Sequence, residues 1–320
     1  MTRQIAAVLT LGALLGVCAA CTGDEGGGGG GGDVNFVSGF VFIRDDTLDV
    51  YVADRSDYAK VGRLTTNGGN HHPSLSADGR QVVFVHASAA GVFSIMTVAT
   101  SGGGAPRTVY TAEAGRGEKN FKNPVFSPDG ATIVFSYEIL TTSYLAKVTA
   151  LDGSGFTSLT TSPLSYGTPS FFPSSAFPDE ILVAAGNGIG QYTQLERMNI
   201  ANGQVIPVTN DLGPEVDVIS GRAVLSKDGT RVAFEGRQSG TSAVRIFVHT
   251  IAGGLTTRIS EPGAGATESL HTFPTWTSAS QVAFVSDEGG AHQVYVQGAS
   301  GAAGTGSLTL PSADQPWFGP

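Results

Sequence analysis

The chain has 320 residues, of which 41% are hydrophobic and only 14% are charged, and its formal net charge is −9. The apolar content is too high for a disordered chain, and the low charge argues against a coiled coil or a long exposed helix. The negative charge argues against nucleic-acid binding, because that affinity comes from lysine and arginine side chains that neutralise phosphates.

Residues 1–20 have the pattern of an export signal, with an arginine near the start. The apolar run at 5–17 is shorter than the ~20 residues that a membrane-spanning helix needs. Two alanines precede Cys21, which resembles the lipobox of bacterial lipoproteins and implies cleavage before a cysteine that is then lipidated. Cys18 stands where that family prefers leucine or valine, so an ordinary secretory signal cut near Ala20 is the alternative.

Residues 21–35 are predicted to form a tether that begins at the lipidated Cys21. Seven consecutive glycines occupy positions 26–32. Ordering polyglycine costs more backbone entropy than ordering any other sequence, so this segment is predicted to be a flexible linker. Both cysteines of the chain lie before residue 22. The domain that follows therefore has no thiol for a disulfide or for nucleophilic catalysis.

A short motif recurs about every 50 residues after the tether, which indicates a repeat architecture. The motif is proline, any residue, a large apolar residue, a small polar residue and then a turn. The six copies begin at Pro73, Pro124, Pro169, Ala223, Pro274 and Pro316. Three of them continue into Asp-Gly, a strong hairpin signal because both residues tolerate positive φ. A short apolar strand follows each of the first five copies, as at 82–85 and 232–234.

The repeats predict an all-β domain over residues 36–320, a closed six-bladed β-propeller of four-stranded antiparallel blades. No segment has the 3.6-residue periodicity of a long helix. Two strands at 40–43 and 48–52 precede the first motif, whereas the motif at 316–318 has no strands after it. We therefore expect the C-terminal strand to complete the N-terminal blade, which hides the sheet edges. An irregular β-sandwich is the alternative.

These motifs resemble the WD40-like propeller repeats of the TolB family and of related six-bladed sensors. The shared feature is proline, an aromatic residue, serine, proline, aspartate and glycine, followed by a Val-x-Phe strand, and residues 121–135 are the nearest copy. The resemblance implies the fold. TolB's docking on peptidoglycan-associated lipoproteins does not transfer residue by residue, since TolB has an extra α/β domain where this chain has the glycine tether.

The resemblance implies that the segments joining each outer strand to the next motif gather at the mouth of the propeller channel. Function on such scaffolds usually lies on loops. The candidate binding residues there are His71, His72, Lys119, Asn120, Tyr166, Asp217, Arg222, Glu268, His271 and Asp314. The candidate ligands for a divalent metal such as zinc or manganese are His71, His72, Glu268 and His271. The alternative is a polar, hydrated channel mouth without a metal.

Other residues are predicted to have structural roles. Asp45, Asp46 and Asp49 could bind calcium, although a simple turn between two strands is the preferred interpretation. Trp276 and Trp317 are expected in the core. The phenylalanines at equivalent blade positions are expected to pack between sheets, and they are Phe84, Phe135, Phe234 and Phe284.

The sequence thus favours an exported, lipid-anchored, non-enzymatic binding or scaffold protein of the bacterial envelope, on the periplasmic side or the outer surface. We expect a monomer that binds an envelope protein or glycan, needs no cofactor and contacts the membrane only through its lipid. The alternative is a metal-dependent enzyme on acidic oligosaccharides, similar to lyases that place a histidine-bound metal on a propeller face. In that case Lys119 or Arg222 could stabilise an enolate-like transition state.

Overall fold

The computed structural model describes residues 35–160, 163–173, 177–209, 211–263, 269–288, 290–300 and 303–320. The predicted signal, Cys21 and the glycine run lie outside these ranges, as does Glu268. Every regular element in the described ranges is a β-strand. No helix in these ranges is long and apolar enough to cross a membrane.

The described residues form 24 strands. In chain order they are β1 (Gly39–Arg44), β2 (Asp49–Asp54), β3 (Val61–Arg63), β4 (Asn70–Leu75), β5 (Gln81–Ala87), β6 (Phe93–Ala99), β7 (Arg107–Thr111), β8 (Lys119–Phe126), β9 (Thr132–Ile139), β10 (Thr142–Thr149), β11 (Thr157–Ser158), β12 (Ser165–Phe171), β13 (Glu180–Gly186), β14 (Tyr192–Asn199), β15 (Val205–Thr209), β16 (Val216–Leu225), β17 (Arg231–Gln238), β18 (Val244–Thr250), β19 (Thr256–Arg258), β20 (His271–Ser278), β21 (Gln281–Ser286), β22 (Gln293–Gly298), β23 (Ser307–Leu310) and β24 (Asp314–Gly319).

Hydrogen bonding groups these strands into antiparallel sheets of two sizes. Four-stranded sheets are formed by β4–β7, by β8–β11, by β20–β23 and by β24 with β1–β3. The remaining sheet has eight strands, β12–β19. The all-β propeller fold is confirmed in type, but two of the predicted four-stranded units are joined into one eight-stranded sheet. The reason is the long β16, whose Ile219 pairs with Tyr192 of β14 and so joins two four-stranded units.

The C-terminal strand pairs with the first strand, as the offset of the repeats predicts. Phe40 lies opposite Phe318, and Val41 lies opposite Trp317. The two facing phenylalanine rings meet edge to face, with centroids 4.9 Å apart. We call this pairing of β24 with β1 the closure seam. It satisfies the backbone groups of what would otherwise be two exposed edge strands.

The Asp-Gly turns have the predicted local chemistry. Ser76 Oγ donates to Asp78 Oδ1 at 2.6 Å, and Gly79 has φ +69°, a conformation that favours glycine. The same serine–aspartate bond is present in the two other complete motifs. Each of these bonds lowers the pKa of the aspartate. The motif therefore carries the turn that connects an inner strand to the next strand of its sheet.

The core lies between successive four-strand units. Six buried apolar clusters each combine residues of two neighbouring units, and together they run around the described part of the ring. The four phenylalanines predicted to pack between sheets are all fully buried. That prediction is confirmed, and so is the core position of Trp276, which is 3% exposed. Burying each such ring stabilises the fold by roughly 1.5–3 kcal/mol.

Phe40→Ala tests whether the closure seam stabilises the whole fold. Phe40 is fully buried and contacts Phe318, so we expect a decrease of about 3–5 kcal/mol in the free energy of unfolding, measured by urea denaturation. The control is Leu140→Ala, at a residue that is 81% exposed, for which the change should stay within about 0.5 kcal/mol. A loss below ~1 kcal/mol in Phe40→Ala would contradict the role of the seam.

Candidate functional site

Five inner strands carry a residue of left-handed backbone conformation directly before the motif proline. These residues have φ between 48° and 55°, and they are His72, Asn123, Thr168, Phe273 and Gln315. Residues other than glycine rarely adopt this backbone conformation, and a following proline restricts the backbone further. The strand register also shifts close to each of these positions. This feature was not predicted, although its constant position directly before the motif proline could have indicated it.

The sixth inner strand has Arg222 at the equivalent place, before Ala223. Its guanidinium lies 5.1 Å from the centroid of Phe273 and 5.7 Å from that of Trp317. Arg222 Nη1 donates to the carbonyl of Pro316 at 2.6 Å. Arginine stacked on two aromatic rings in this way is held by cation–π attraction and by a charge-assisted hydrogen bond.

His72 and Gln315 complete this group. The imidazole of His72 lies 5.9 Å from the ring of Phe273, and the His72 N–H donates to Gln315 Oε1 at 2.6 Å. Trp317 packs against three of the six apolar clusters. We call this group the channel plug; its members are His72, Arg222, Phe273, Gln315 and Trp317. They come from four inner strands, so they meet where those strands converge.

Buried charges of opposite sign lie beside the plug, namely Arg222 and the acidic Glu235 and Asp314. Arg222 is 3% exposed, and burial lowers its pKa to about 10, although the charges of Glu235 and Asp314 oppose that shift. Burial also raises the pKa of Glu235, whose carboxylate accepts the N–H of Phe273 at 2.7 Å. Arg222 therefore stays charged at neutral pH and serves the packing of the plug.

Of the predicted channel-mouth residues, the structure brings His71, His72, Arg222 and Asp314 into one neighbourhood. The rings of His71 and His72 are 6.5 Å apart, and the charge of Asp314 acts on both His71 and Arg222. Burial lowers the pKa of His71. Asp314 is 7% exposed and accepts the N–H of Gln315 at 2.8 Å. These residues lie near one another, but Asp314 and Arg222 make their polar contacts with other residues, Gln315 and Pro316.

The other predicted residues have separate partners. Asn120 Nδ2 donates to Glu138 Oε2 at 2.6 Å, next to the exposed Lys119. Tyr166 is buried and hydrogen-bonds to Glu196. Asp217 is exposed and lies 3.9 Å from Arg237 Nε.

His271 differs most from its predicted position at the mouth. It is 1% exposed, its ring centroid lies 5.1 Å from that of Phe284, and Nε2 is 3.2 Å from Ser269 Oγ. The strand alternation turns it into the core between sheets.

The predicted acidic cluster is not a single group. Asp49 is 1% exposed and accepts hydrogen bonds from Thr65 Oγ1 at 2.8 Å, the Gly68 N–H at 3.0 Å and Asn70 Nδ2 at 3.2 Å. It therefore ties β2 to the segment that leads into β4. Asp45 and Asp46 lie in the turn between β1 and β2, which is the preferred interpretation of this sequence.

A candidate binding space is an apolar cavity of about 400 Å³ where the inner strands end. Its walls include Leu75, Phe126, Leu225, Trp317 and Phe318. Trp317 is half-buried and forms part of the wall, so its predicted core position is only partly right. The inner strands begin near the predicted mouth residues, so the cavity lies at the opposite end of the channel. A cavity of this size and apolar lining is typical of sites for small ligands or side chains.

Lys227 gives the cavity rim a positive charge. Its Nζ lies 5.4 Å from the ring of Phe318, and its side chain is exposed. Ala77 and Pro128 are exposed residues at the same rim. The cavity thus combines an aromatic wall with one cationic group at its opening.

Comparisons with known proteins agree on the fold. No family model matches this chain, and no curated protein matches it. The crystal structure of TolB from Acinetobacter baumannii superimposes with a TM-score of 0.65 at 16% identity, covering 90% of this chain and 68% of that one. A putative TolB from Agrobacterium tumefaciens gives 0.57 at 18% identity, over 87% and 89% of the two chains. The fold is that of a TolB-like propeller.

A match of lower sequence identity shows that this likeness indicates the fold and not the function. Hydrazine synthase from Kuenenia stuttgartiensis matches with a TM-score of 0.60 at 11% identity, over 87% of this chain and 46% of its own. The same propeller architecture thus occurs in proteins of different activity. The function has to be argued from the side chains of this chain.

His271 makes stability depend on pH. Burial lowers its pKa from 6.5 to about 4, so between these pH values the unfolded chain binds a proton at His271 and the folded chain does not. Its contribution to stability is therefore complete above pH 6.5 and declines as the pH falls toward 4. In His271→Gln, we expect a shallower loss of unfolding free energy between pH 6.5 and 4.5, measured by urea denaturation. Equal slopes in the two proteins over that window would contradict this assignment; above pH 7 the slopes should coincide.

Proposed function

We propose that this chain is an exported, lipid-anchored, non-enzymatic binding protein of the bacterial cell envelope. The TolB-like fold supports a binding role and an envelope location, since solved TolB structures share this propeller. In this proposal the eight-stranded sheet acts as two blades, because one of the six apolar clusters fills the space between its two halves. The ring then has six blades.

The observation that carries the proposal is the division of the channel. The plug fills one part of the channel with packed aromatic and polar side chains, whereas the apolar cavity is open at the other end. A partner can therefore bury apolar surface at the cavity without displacing a buried charge. We place the partner surface there rather than at the predicted channel mouth.

The occupant that fits is an apolar segment of an envelope protein with an acidic group beside it. The apolar segment would pack against Trp317 and Phe318, and the acidic group would lie near Lys227. A rigid strand scaffold lowers the ordering cost of such binding.

No observation favours the lyase alternative. Among its four proposed residues, His271 lies in the core, Glu268 lies outside the described residues, and His71 and His72 form no described group of three metal ligands.

Blocking the cavity from its rim should abolish partner binding. Ala77 is exposed at the rim, so Ala77→Trp places a large ring over the opening without changing the core. We expect at least a ~10-fold loss of the protein captured from an envelope extract, and an equal loss of binding of the apolar anionic dye anilinonaphthalene sulfonate. The matched control is Ala131→Trp, at an exposed alanine that does not line the cavity. Full capture by Ala77→Trp would refute the proposed surface.

The lipid anchor has a separate test. Cys21→Ser removes the thiol that would carry the lipid, so we expect the protein to move from the membrane fraction to the soluble fraction of cells. Cys18→Ser is the matched control, and it should stay in the membrane fraction. If Cys21→Ser also stays there, residues 1–20 are not a lipoprotein signal.

A further inference from the structure

The structure brings together one histidine and two aspartates that the sequence places far apart. Asp45 lies in the turn between β1 and β2, His292 in the turn between β21 and β22, and Asp314 begins β24. One ligand atom from each lies within 4.8 Å of the other two. His292 Nδ1 is 2.8 Å from Asp45 Oδ2 and 3.8 Å from Asp314 Oδ2.

These separations suit a metal ion. Three ligands on a tetrahedral ion with bonds of ~2.1 Å lie ~3.4 Å from one another. This spacing falls between the two observed distances, so His292 and Asp45 would have to move apart slightly to admit an ion. The side chain of Asp314 is 9% exposed, whereas those of His292 and Asp45 are 42% and 50% exposed. The group thus has one buried ligand and two that face solvent, which leaves room for an ion to enter and for water to complete its coordination.

The local charge also favours a cation. Within the described ranges, no lysine or arginine forms an ion pair with Asp45 or Asp314. Burial raises the pKa of Asp314, and the neighbouring charge of Asp45 acts in the same direction. Burial alone would lower the pKa of His292, but the two carboxylates raise it. A divalent ion would offset the repulsion between the two carboxylates.

The position is held by the backbone as well. The Ala313 N–H donates to the carbonyl of His292 at 3.1 Å, which fixes the start of β24 against the β21–β22 turn. Asp314 lies opposite Ile43 in the closure seam, and Asp45 follows Ile43 by two residues. The three ligands therefore come from the β1–β2 connection, the β21–β22 connection and strand β24.

We propose that Asp45, His292 and Asp314 form a binding site for a divalent transition-metal ion, Zn²⁺ or Mn²⁺, that fastens the closure seam. A mixed set of one imidazole and two carboxylates fits these ions, whereas Ca²⁺ takes six to eight oxygen ligands. An ion bound only by the folded chain raises its thermal stability.

The test is metal titration of the full chain after treatment with EDTA and dialysis. Calorimetric titration with ZnCl₂ or MnCl₂ should show one equivalent bound, and the melting temperature should rise by roughly 5 °C at saturation. His292→Gln and Asp45→Asn should each weaken binding at least ~10-fold and remove the thermal shift. Asp45 is exposed in a turn, so this variant should fold like the parent, which circular dichroism checks.

The matched control is Asp46→Asn, since Asp46 is exposed in the same turn but is not one of the three ligands. It should bind Zn²⁺ or Mn²⁺ like the parent chain. Absence of saturable binding would overturn the site. Equal weakening by Asp46→Asn and Asp45→Asn would show a diffuse effect of acidic charge instead. Binding of CaCl₂ as tight as that of both other ions would overturn the assignment to a transition metal.

Discussion

The closure seam is the contact on which the rest of the structure depends. Pairing of β24 with β1 converts a row of sheets with two open edges into a ring, and it also delivers Trp317 and Phe318 to the channel. Trp317 then contacts three apolar clusters, Arg222 stacks on it, and Phe318 packs on Phe40. The plug, the cavity wall and the His/Asp group all include or adjoin residues of this one strand.

Much of this architecture could be predicted from the sequence, because the same short motif recurs in each repeat of a propeller. The motif proline marks the inner strand, Asp-Gly marks the hairpin, and the phenylalanine after it marks the space between sheets. The offset between motifs and strands predicted the closure. The joining of two units through Tyr192 and Ile219 could not be predicted, since a single bridge depends on the length and twist of β16.

The candidate site was less predictable than the fold. Chain position indicated that residues such as His71 and Asp314 approach the channel. It did not indicate whether their polar atoms are free to bind a ligand or already bonded within the protein. His271 illustrates the problem: alternation along β20 decides whether it faces the channel or the core, and a local register shift precedes the proline. His292 was missed altogether, because its two carboxylate neighbours belong to the first and last parts of the chain.

The distance in sequence across the seam has a consequence for how the chain reaches its native state. Ser38 Oγ donates to the carbonyl of Gly319 at 3.1 Å, a bond between residues 281 positions apart. Contacts of this separation form late, because chain entropy must be lost before they stabilise anything. The closure seam therefore cannot form until β24 has been synthesised, and until then the edge of β1 that pairs with β24 stays unpaired.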